Sequence, residues 1–225
     1  MKKVIVISGG TDGLGREIAK ELALNNTVII LSPHQEKLEQ TAQELSVDYE
    51  VCDVTNYEQG ATAIQNIITK HSRIDVLINN AGIWIEGPLE ANDPARIKQT
   101  LDVNTLGTIY LTKAVVPFMK QQQSGTILNV ISQAGVNTKA EKAVYNASKW
   151  AITGFTKTLY NELAPYGIGV SGIYPGKMNT LLFEKAGIHK DMADALDIKN
   201  VAQTVAFMLS LPHTVFVDVG MLYSE

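Results

Sequence analysis

A chain of 225 residues is long enough to bury a sizeable core without help from metals or disulfides. Apolar residues make up 45% and charged residues 19%, as in ordinary globular proteins, and a net charge of −4 argues against nucleic acid as a partner. A single cysteine, Cys52, excludes an internal disulfide framework and favours a reducing compartment. The four histidines are too scattered for a metal site, and the apolar runs are too short to span a membrane. With a strand pattern at the N-terminus instead of a signal peptide, we expect a cytoplasmic protein.

Short β-branched runs separated by helical patterns indicate the strands of a buried sheet. The first, Val4-Ile5-Val6-Ile7, is continuously apolar, as expected for a strand that is covered on both faces. Similar runs recur at intervals along the chain. We predict strands at Val4–Ile7, Thr27–Leu31, Val47–Cys52, Asp75–Asn79, Gly125–Ile131, Gly167–Tyr174 and Thr214–Val219.

Helical patterns lie between these strands. Ser32-Pro33 predicts the N-cap and first turn of a helix that runs to about Leu45. Thr55-Asn56-Tyr57-Glu58 fits a capping box, and Asp93-Pro94 begins a long helical region that reaches about Lys120. Further helices are predicted around Ile18–Ala23, Val144–Leu163 and Val201–Leu209, with a short irregular stretch at Lys177–Ala195. This alternation, without a linker or internal repeat, predicts one doubly wound α/β domain over residues 1–225.

Glycine and polar residues follow the ends of several predicted strands. The turn Ser8-Gly9-Gly10-Thr11-Asp12-Gly13-Leu14-Gly15 connects the first strand to a helix. Such a turn allows close backbone approach and aims a helix N-terminus at a phosphate, the alternative being a turn without a ligand. Asp53, Asn79–Gly82, Ser132 and Pro175-Gly176 follow other strands. Because the carboxyl ends of parallel strands share one edge of the sheet, we expect a ligand site along that edge.

Tyr145 and Lys149 form the most distinctive pair in the sequence. In the run Tyr145-Asn146-Ala147-Ser148-Lys149, a spacing of four places the phenol and the ammonium on one helix face. A free tyrosine titrates near pH ~10, and a neighbouring cation favours its phenolate. The pair is therefore suited to proton transfer. The alternative is a half-buried tyrosine beside a solvated lysine.

With these motifs in this order, the chain resembles the short-chain dehydrogenase/reductase family, in its compact single-domain branch. The resemblance extends from Val4 to about Thr180 and includes the glycine turn, with Ser8 in place of the family's threonine, and the unaltered Asn79-Asn80-Ala81-Gly82. It implies a Rossmann-type parallel sheet of about seven strands in the order 3-2-1-4-5-6-7, with helices on both faces. It also implies hydride transfer between a nicotinamide cofactor and a carbonyl or alcohol substrate.

The resemblance further implies roles for individual residues. Tyr145 would be the general acid/base, and Lys149 would lower its pKa and bind the nicotinamide ribose. Ser132, 13 residues before Tyr145, would donate to the substrate oxygen, and Asn104 would hold a water that links Lys149 to solvent. Asn80 has the alternative of tying neighbouring strands together. The implied cofactor-binding residues are Ser8, Gly9, Thr11, Asp12, Gly13, Leu14, Gly15, Ser32, Asp53, Val54, Asn80, Ala81, Gly82, Tyr145, Lys149, Pro175, Gly176, Met178 and Thr180.

Cofactor preference depends on the residues after the second strand. An acid there would bind the ribose 2′-hydroxyl of NAD, and an arginine would bind the 2′-phosphate of NADP. Ser32-Pro33-His34 supplies neither. Asp12 disfavours a nearby phosphate, whereas Arg16, His34 and Lys37 favour one. Because no acid is available for the diol, we predict NAD(P) with a slight preference for NADP.

The predicted substrate pocket is mostly apolar. Its candidate lining residues are Ile83, Trp84, Gln133, Ala134, Val136, Met178, Leu181, Leu182 and Phe183, of which Trp84, Gln133, Ala134 and Leu181 join Ser132 and Tyr145 as predicted contacts. They indicate an apolar small-molecule carbonyl or alcohol, unless several of them pack the core instead. The short segment after Thr180 predicts an open, permissive site. By resemblance, a homodimer or homotetramer would form through the helices that contain Asn104 and Tyr145.

Two other functions fit parts of this pattern. A non-catalytic NAD(P)-binding sensor or scaffold would use the same fold, but would have no need of the Tyr145 phenol. A nucleotide-sugar epimerase or dehydratase of the longer related branch fits the glycine spacing poorly and requires a separate C-terminal substrate region. Turnover of aldehydes, ketones or alcohols separates an enzyme from a binding protein.

Overall fold

The structure, a computed structural model, describes residues 2–212 and 217–222. Within these residues, seven parallel strands form one sheet in the order β3-β2-β1-β4-β5-β6-β7, which confirms the predicted fold class. The strands are β1 Val4–Ser8, β2 Thr27–Ser32, β3 Asp48–Val51, β4 Val76–Asn79, β5 Gly125–Val130, β6 Ile168–Pro175 and β7 Asp218–Met221. The helices are α1 Gly13–Ala23, α2 Gln35–Leu45, α3 Tyr57–His71, α4 Pro94–Leu101, α5 Gly107–Gln122, α6 Ala143–Leu163 and α7 Ile198–Ser210.

Helices cover both faces of the sheet, and β1 shows how its side chains are shared between them. Ile5 and Ile7 belong to a core cluster that includes residues of α1, α2 and α7. Val6 belongs to the opposite cluster, with residues of α3, α5 and α6. Because successive side chains of a strand point to opposite faces, only a continuously apolar strand can fill both cores. Cys52 is fully buried, as expected for a small apolar side chain.

Two predicted helix starts are wrong by a few residues. Ser32 is the last residue of β2, where it pairs with Val51, and the N-cap of α2 is His34. The Ser32 hydroxyl accepts a hydrogen bond from the backbone N–H of His34 at 3.3 Å, which places it in the strand-to-helix turn. At α3 the cap is Asn56, whose side chain accepts from the Gln59 N–H at 3.1 Å.

The long helical region predicted after Asp93 is divided by a π-helical turn. Asp93 does cap α4, but the regular pattern stops at Leu101 and resumes at Gly107. Between them, Asp102–Leu106 forms the π-helical turn, in which the Gly107 N–H bonds to the Asp102 carbonyl. Such insertions are frequent at functional sites, and this one contains Asn104.

The last strand of the sheet lies later in the chain than predicted. It is Asp218–Met221, whereas the sequence predicted Thr214–Val219, of which residues 214–216 lie outside the described residues. In the part of the chain that the structure describes, none of the helices has the length and apolar character needed to cross a membrane.

Candidate active site

A crevice of about 1170 Å³ runs along the carboxyl ends of the strands, where the polar and glycine motifs were expected to meet. Its volume exceeds that of an ordinary small-ligand pocket and suits a dinucleotide together with a small substrate. Most of the predicted site residues line it. They are Gly9, Thr11, Asp12, Gly13, Leu14, Ser32, Asp53, Val54, Asn80, Ala81, Gly82, Ile83, Trp84, Ser132, Gln133, Ala134, Tyr145, Lys149, Pro175, Gly176, Met178, Thr180, Leu182 and Phe183.

The glycine turn is held in a shape that only glycine permits at two positions. Gly9 has φ +67°, and a Cβ there would lie 3.0 Å from the Ala81 Cα. A Cβ on Gly15 would lie 2.2 Å from the Gly9 carbonyl oxygen. Gly15 therefore packs closely against the backbone of the turn at Gly9 and does not line the crevice.

Ser8 and Asn80 tie the glycine turn to the end of β4. The Ser8 hydroxyl accepts from the backbone N–H groups of Asn80 and Ala81 at 3.0 and 3.1 Å. The Asn80 amide donates to the carbonyl oxygens of Ser8 and Gly9, both at 3.1 Å. Ser8 was predicted as a cofactor contact, but it is buried and does not line the crevice. Asn80 has the geometry of its alternative role, in which it ties neighbouring strands together.

Asp12 is neutralised by two lysines from opposite sides of the crevice. Its carboxylate accepts from Lys37 of α2 at 2.7 Å and pairs closely with Lys185. Burial would raise the pKa of this carboxyl, but the hydrogen bonds and charges of Lys185 and Lys37 outweigh it and lower the pKa below its usual value. Arg16, which was expected to favour a phosphate, points elsewhere: it pairs with Glu44 at 2.7 Å and does not line the crevice.

Tyr145 and Ser132 meet in the middle of the crevice. Tyr145 is only 5% exposed, and burial raises the pKa of its phenol to about 12 against the lowering effect of a side-chain hydrogen bond with Ser132. Ser132 has φ 152° and ψ 159°, a strained conformation for any residue except glycine. Its hydroxyl also accepts from the Ala134 N–H at 3.1 Å. Strain of this kind concentrates at functional sites, because the surrounding structure must hold it in place.

Lys149 lies one helical turn beyond Tyr145, with its ammonium inside the protein. The Nζ atom donates to the Val130 carbonyl at 3.2 Å and lies 5.9 Å from the centroid of the Tyr145 ring. Burial lowers the pKa of this amine to about 8. Burial and the Ser132 hydrogen bond are the causes of the shift in the Tyr145 pKa, and the lowering of that pKa by Lys149 stays a prediction.

Asn104 is buried behind the crevice lining, and its place in the catalytic set stays a prediction. Its amide oxygen accepts from the Ile83 N–H at 2.8 Å, and its Nδ2 donates to the Ile83 carbonyl and the Ser148 hydroxyl at 3.0 and 3.1 Å. The side chain therefore fixes the segment after Gly82 against α6. The water that Asn104 was predicted to hold stays a prediction.

The substrate end of the crevice is built around Trp84. Its ring centroid lies 4.2 Å from that of Tyr145 and 4.8 Å from that of Phe183. Two predicted members of this end are misplaced: Val136 and Leu181 are exposed by 40% and 49% and do not line the crevice. Both side chains point to solvent from loops, where no periodicity indicates the buried face.

Sequence reasoning missed four cations at the same end: Arg96, Lys139, Lys142 and Lys190. A signal existed for two of them, because Lys139 and Lys142 lie between the predicted site residues Ser132 and Tyr145. Arg96 and Lys190 come from separate parts of the chain and are brought there only by the fold.

Comparisons with known proteins agree with this arrangement. The family model described as short chain dehydrogenase matches residues 3–205. An uncharacterized oxidoreductase of Staphylococcus saprophyticus is 32% identical over 225 residues, covering 96% of this chain and 94% of the relative. The trans-4-hydroxycyclohexanecarboxylate dehydrogenase of Sinomonas cyclohexanicum is 32% identical over 191 residues, covering 80% of this chain and 73% of the relative. The structure of an alcohol dehydrogenase from the archaeon Thermococcus sibiricus, complexed with 5-hydroxy-NADP, matches with a TM-score of 0.90 and 25% identity, covering 99% of this chain and 97% of that one.

Proposed function

Because the chain belongs to the short-chain dehydrogenase/reductase family, we propose that it transfers a hydride between NADP(H) and the carbonyl or alcohol group of a small molecule. The observation that carries the proposal is the convergence of Tyr145, Ser132 and Lys149 on one crevice whose other end is the glycine turn. A protein that only bound a dinucleotide would have no use for a buried phenol, a strained serine and a buried amine at the far end of its site.

Tyr145 supplies the proton in the proposed reduction. When bound, a nicotinamide cofactor would supply the hydride for the carbonyl carbon. With its pKa raised to about 12, the Tyr145 phenol is protonated at neutral pH and can donate to the carbonyl oxygen. The Ser132 hydroxyl, held beside it, donates to the same oxygen as negative charge develops there. In the reverse direction the phenolate of Tyr145 accepts the proton of the alcohol.

Lys149 serves the state that follows proton donation. Its amine has a pKa of about 8 and is mostly protonated at neutral pH, so a cation is already in place one turn from the phenolate that forms. The hydrogen bond from Lys149 to the Val130 carbonyl holds the ammonium at the end of β5. There it would bind the ribose of a nicotinamide nucleotide. Asn104 acts as a positioning residue, since its amide binds the Ile83 backbone and the hydroxyl of Ser148, which directly precedes Lys149 in α6.

The residues at the glycine-turn end of the crevice are suited to bind a dinucleotide. The glycine turn leaves its backbone open at the N-terminus of α1, where a pyrophosphate is favoured. Asp53 lines the crevice at the adenosine side, and its carboxylate accepts from the N–H and hydroxyl of Thr55 at 2.9 and 2.8 Å.

The preference for NADP is supported by the residues after β2. Ser32, Pro33, His34 and Lys37 line the crevice there and include no acid for a ribose diol. Lys37, the cation among them, is paired with Asp12. The Thermococcus sibiricus relative was solved with an NADP derivative, which supports the same choice.

We also propose that residues 1–225 act as one domain in the cytoplasm and assemble as a homodimer or homotetramer. The exposed Leu106 and Trp150, near the helices of Asn104 and Tyr145, support such a contact. Size-exclusion chromatography with light scattering measures the assembly directly.

A cofactor-oxidation screen tests the proposed function. Purified protein is mixed with NADPH or NADH and a panel of aldehydes, ketones and keto acids, and initial rates are followed at 340 nm. We expect turnover of at least one carbonyl compound, with higher kcat/KM for NADPH. Tight binding of NADPH without turnover of any carbonyl or alcohol would replace the proposal with the binding-protein alternative, and a clear preference for NADH would overturn the cofactor choice alone.

A further inference from the structure

Four cations surround the mouth of the crevice at the substrate end. We call Arg96, Lys139, Lys142 and Lys190 the cationic rim. The ammonium groups of Lys142 and Lys190 lie 5.1 and 5.3 Å from the centroid of the Trp84 ring. Trp84 in turn lies against Tyr145, so a small molecule that reaches the phenol passes beside these two charges.

In the part of the chain that the structure describes, one carboxylate forms an ion pair with the rim. Lys190 pairs with Glu86 at 2.7 Å, and the same Glu86 oxygen accepts from the Trp84 indole at 3.1 Å. Arg96 donates to the Gln99 amide oxygen at 2.8 Å and to the Trp84 carbonyl at 3.5 Å, both neutral acceptors. Among the described residues, no ion pair involves Lys139 or Lys142.

The other lysines that line the crevice are matched by carboxylates, apart from Lys149, whose ammonium donates to the Val130 carbonyl. Asp12 pairs with both Lys37 and Lys185, Asp102 with Lys98, and Asp194 with Lys177. Uncompensated positive charge is therefore concentrated at the substrate end and not spread along the whole crevice.

Lys142 combines a position 5.1 Å from the Trp84 ring centroid with the lack of an ion pair among the described residues. It is partly buried, and burial, followed by the charge of Lys190, lowers the pKa of its amine, with Lys139 acting in the same direction and Glu86 against it. The backbone around it is held in place, since the Gly87 N–H donates to the carbonyl of the preceding residue, Glu141, at 2.7 Å. A partly desolvated ammonium near two other cations is stabilised by an anion that comes within hydrogen-bonding distance.

We infer that the substrate is a carbonyl or alcohol compound with a carboxylate at the end away from the reacting carbon, and that Lys142, assisted by Lys139, binds that carboxylate. This inference rests on the proposed function, because it takes Tyr145 as the reacting end. It changes the expectation of an entirely apolar substrate: Trp84 and Phe183 form an aromatic wall, and the rim above the wall is cationic. The ion pair between the substrate carboxylate and Lys142 would make the site specific for acids, because a neutral analogue leaves the neighbouring ammonium groups without an anion.

A binding experiment tests the inference without relying on turnover. The chain contains two tryptophans, Trp84 and Trp150, so the Trp150→Phe variant leaves Trp84 as the only indole reporter. Its fluorescence is titrated with 4-oxopentanoate and with methyl 4-oxopentanoate, in saturating NADP+ and at constant ionic strength. We expect the acid to bind about tenfold more tightly than the ester. In Lys142→Gln the two should bind equally, whereas Lys142→Arg should keep the preference.

A matched control separates the local effect from the loss of net charge. Lys157→Gln removes one exposed lysine on the same helix as Tyr145, outside the crevice lining, and should leave the acid-to-ester ratio within about twofold of the parent. Equal binding of acid and ester to the parent protein, or a preference that survives in Lys142→Gln, overturns the inference. Absence of turnover with the acid preference intact contradicts the proposed function and not the carboxylate site, so the two failures are distinguishable.

Discussion

Tyr145 and Tyr174 have similar burial and similar pKa values in regions with different surroundings. They are 5% and 3% exposed, and burial is the largest cause that raises the pKa of each phenol to about 12. Tyr174, near the end of β6, donates to the Asp218 carboxylate of β7 at 3.1 Å, and the other oxygen of that carboxylate accepts from the Gly172 N–H at 3.1 Å. Tyr145 instead lines an open crevice beside Ser132 and Lys149. A raised pKa therefore reports burial, and function must be argued from what the phenol faces.

The Tyr145 region contains energetically unfavourable features that the Tyr174 region does not. Around Tyr145 the chain keeps a strained Ser132 backbone and an amine whose pKa burial lowers to about 8. Around Tyr174 the phenol and the carboxylate satisfy each other. Proteins retain costly local features where function requires them. The comparison therefore predicts that mutations near Tyr145 lower activity with little loss of stability or with a gain, whereas mutations near Tyr174 affect stability alone.

The largest expected effect is the loss of activity in Tyr145→Phe. Removing the proton donor should lower kcat/KM by at least ~100-fold, in line with general acid–base contributions, while the melting temperature changes little because the ring stays buried. Tyr174→Phe is the matched control and should stay within about threefold of the parent activity. Steady-state kinetics on the best substrate of the screen measure both, and retained activity in Tyr145→Phe would remove Tyr145 from the mechanism.

Lys149→Met should lower kcat/KM by less than Tyr145→Phe does, and it should make the protein more stable. The folded-state pKa of about 8 lies below the usual 10.5, so folding disfavours the charged amine, and this cost is full below pH 8 and disappears as pH rises towards 10.5. The variant should therefore gain up to about 3 kcal/mol at pH 7, less the lost hydrogen bond to Val130, and nothing above pH ~10.5. Urea unfolding at pH 7 and pH 10.5 measures the gain. A variant that is less stable at pH 7 would contradict the buried-charge account.

Sequence reasoning predicted the Tyr145 region well because its parts are local. Tyr145 and Lys149 share one helix face, and Ser132 and the glycine turn each follow a strand, so two simple rules place them together. The strand order was implied by the resemblance and is confirmed. The Tyr174 region has no such pattern: Tyr174 and Asp218 are 44 residues apart, and only the pairing of β6 with β7 joins them.

The errors have physical causes in tertiary structure. The Ser32 hydroxyl was expected to cap α2, but pairing of Ser32 with Val51 keeps this residue in the sheet. A continuous helix was expected through Asn104, but this residue lies in a π-helical turn that a helical pattern does not reveal, and its amide binds the Ile83 backbone. The cationic rim comes from three separate segments, and neither composition nor periodicity indicates that they meet.

Ser132 can be used to separate strain from chemistry within the Tyr145 region. Ser132→Gly removes the hydroxyl and also relieves a conformation that costs about 1–3 kcal/mol for other residues, so it should be more stable than Ser132→Ala by about 1–2 kcal/mol. Both variants lose the same donor to the substrate oxygen, and their kcat/KM should fall by a similar factor of at least ~10. Chemical denaturation and kinetics on the pair test this. Equal stability of the two variants would show that the backbone is unstrained.

The smallest expected effect lies in the Tyr174 region and completes the comparison. Tyr174→Phe removes the donor to Asp218, whose carboxylate is exposed enough for water to replace it, so the loss should be only about 1 kcal/mol at pH 7. The folded-state pKa of about 12 lies above the usual 10, so the stabilisation by this phenol is full below pH 10 and is lost as pH rises through 12. The parent and the variant should therefore converge in stability over that window. Urea unfolding between pH 7 and pH 11 measures the difference. A stability gap that stays constant or widens with pH would mean that the bond to Asp218 does not hold the Tyr174 proton, and the contrast with Tyr145 would then have to rest on the crevice alone.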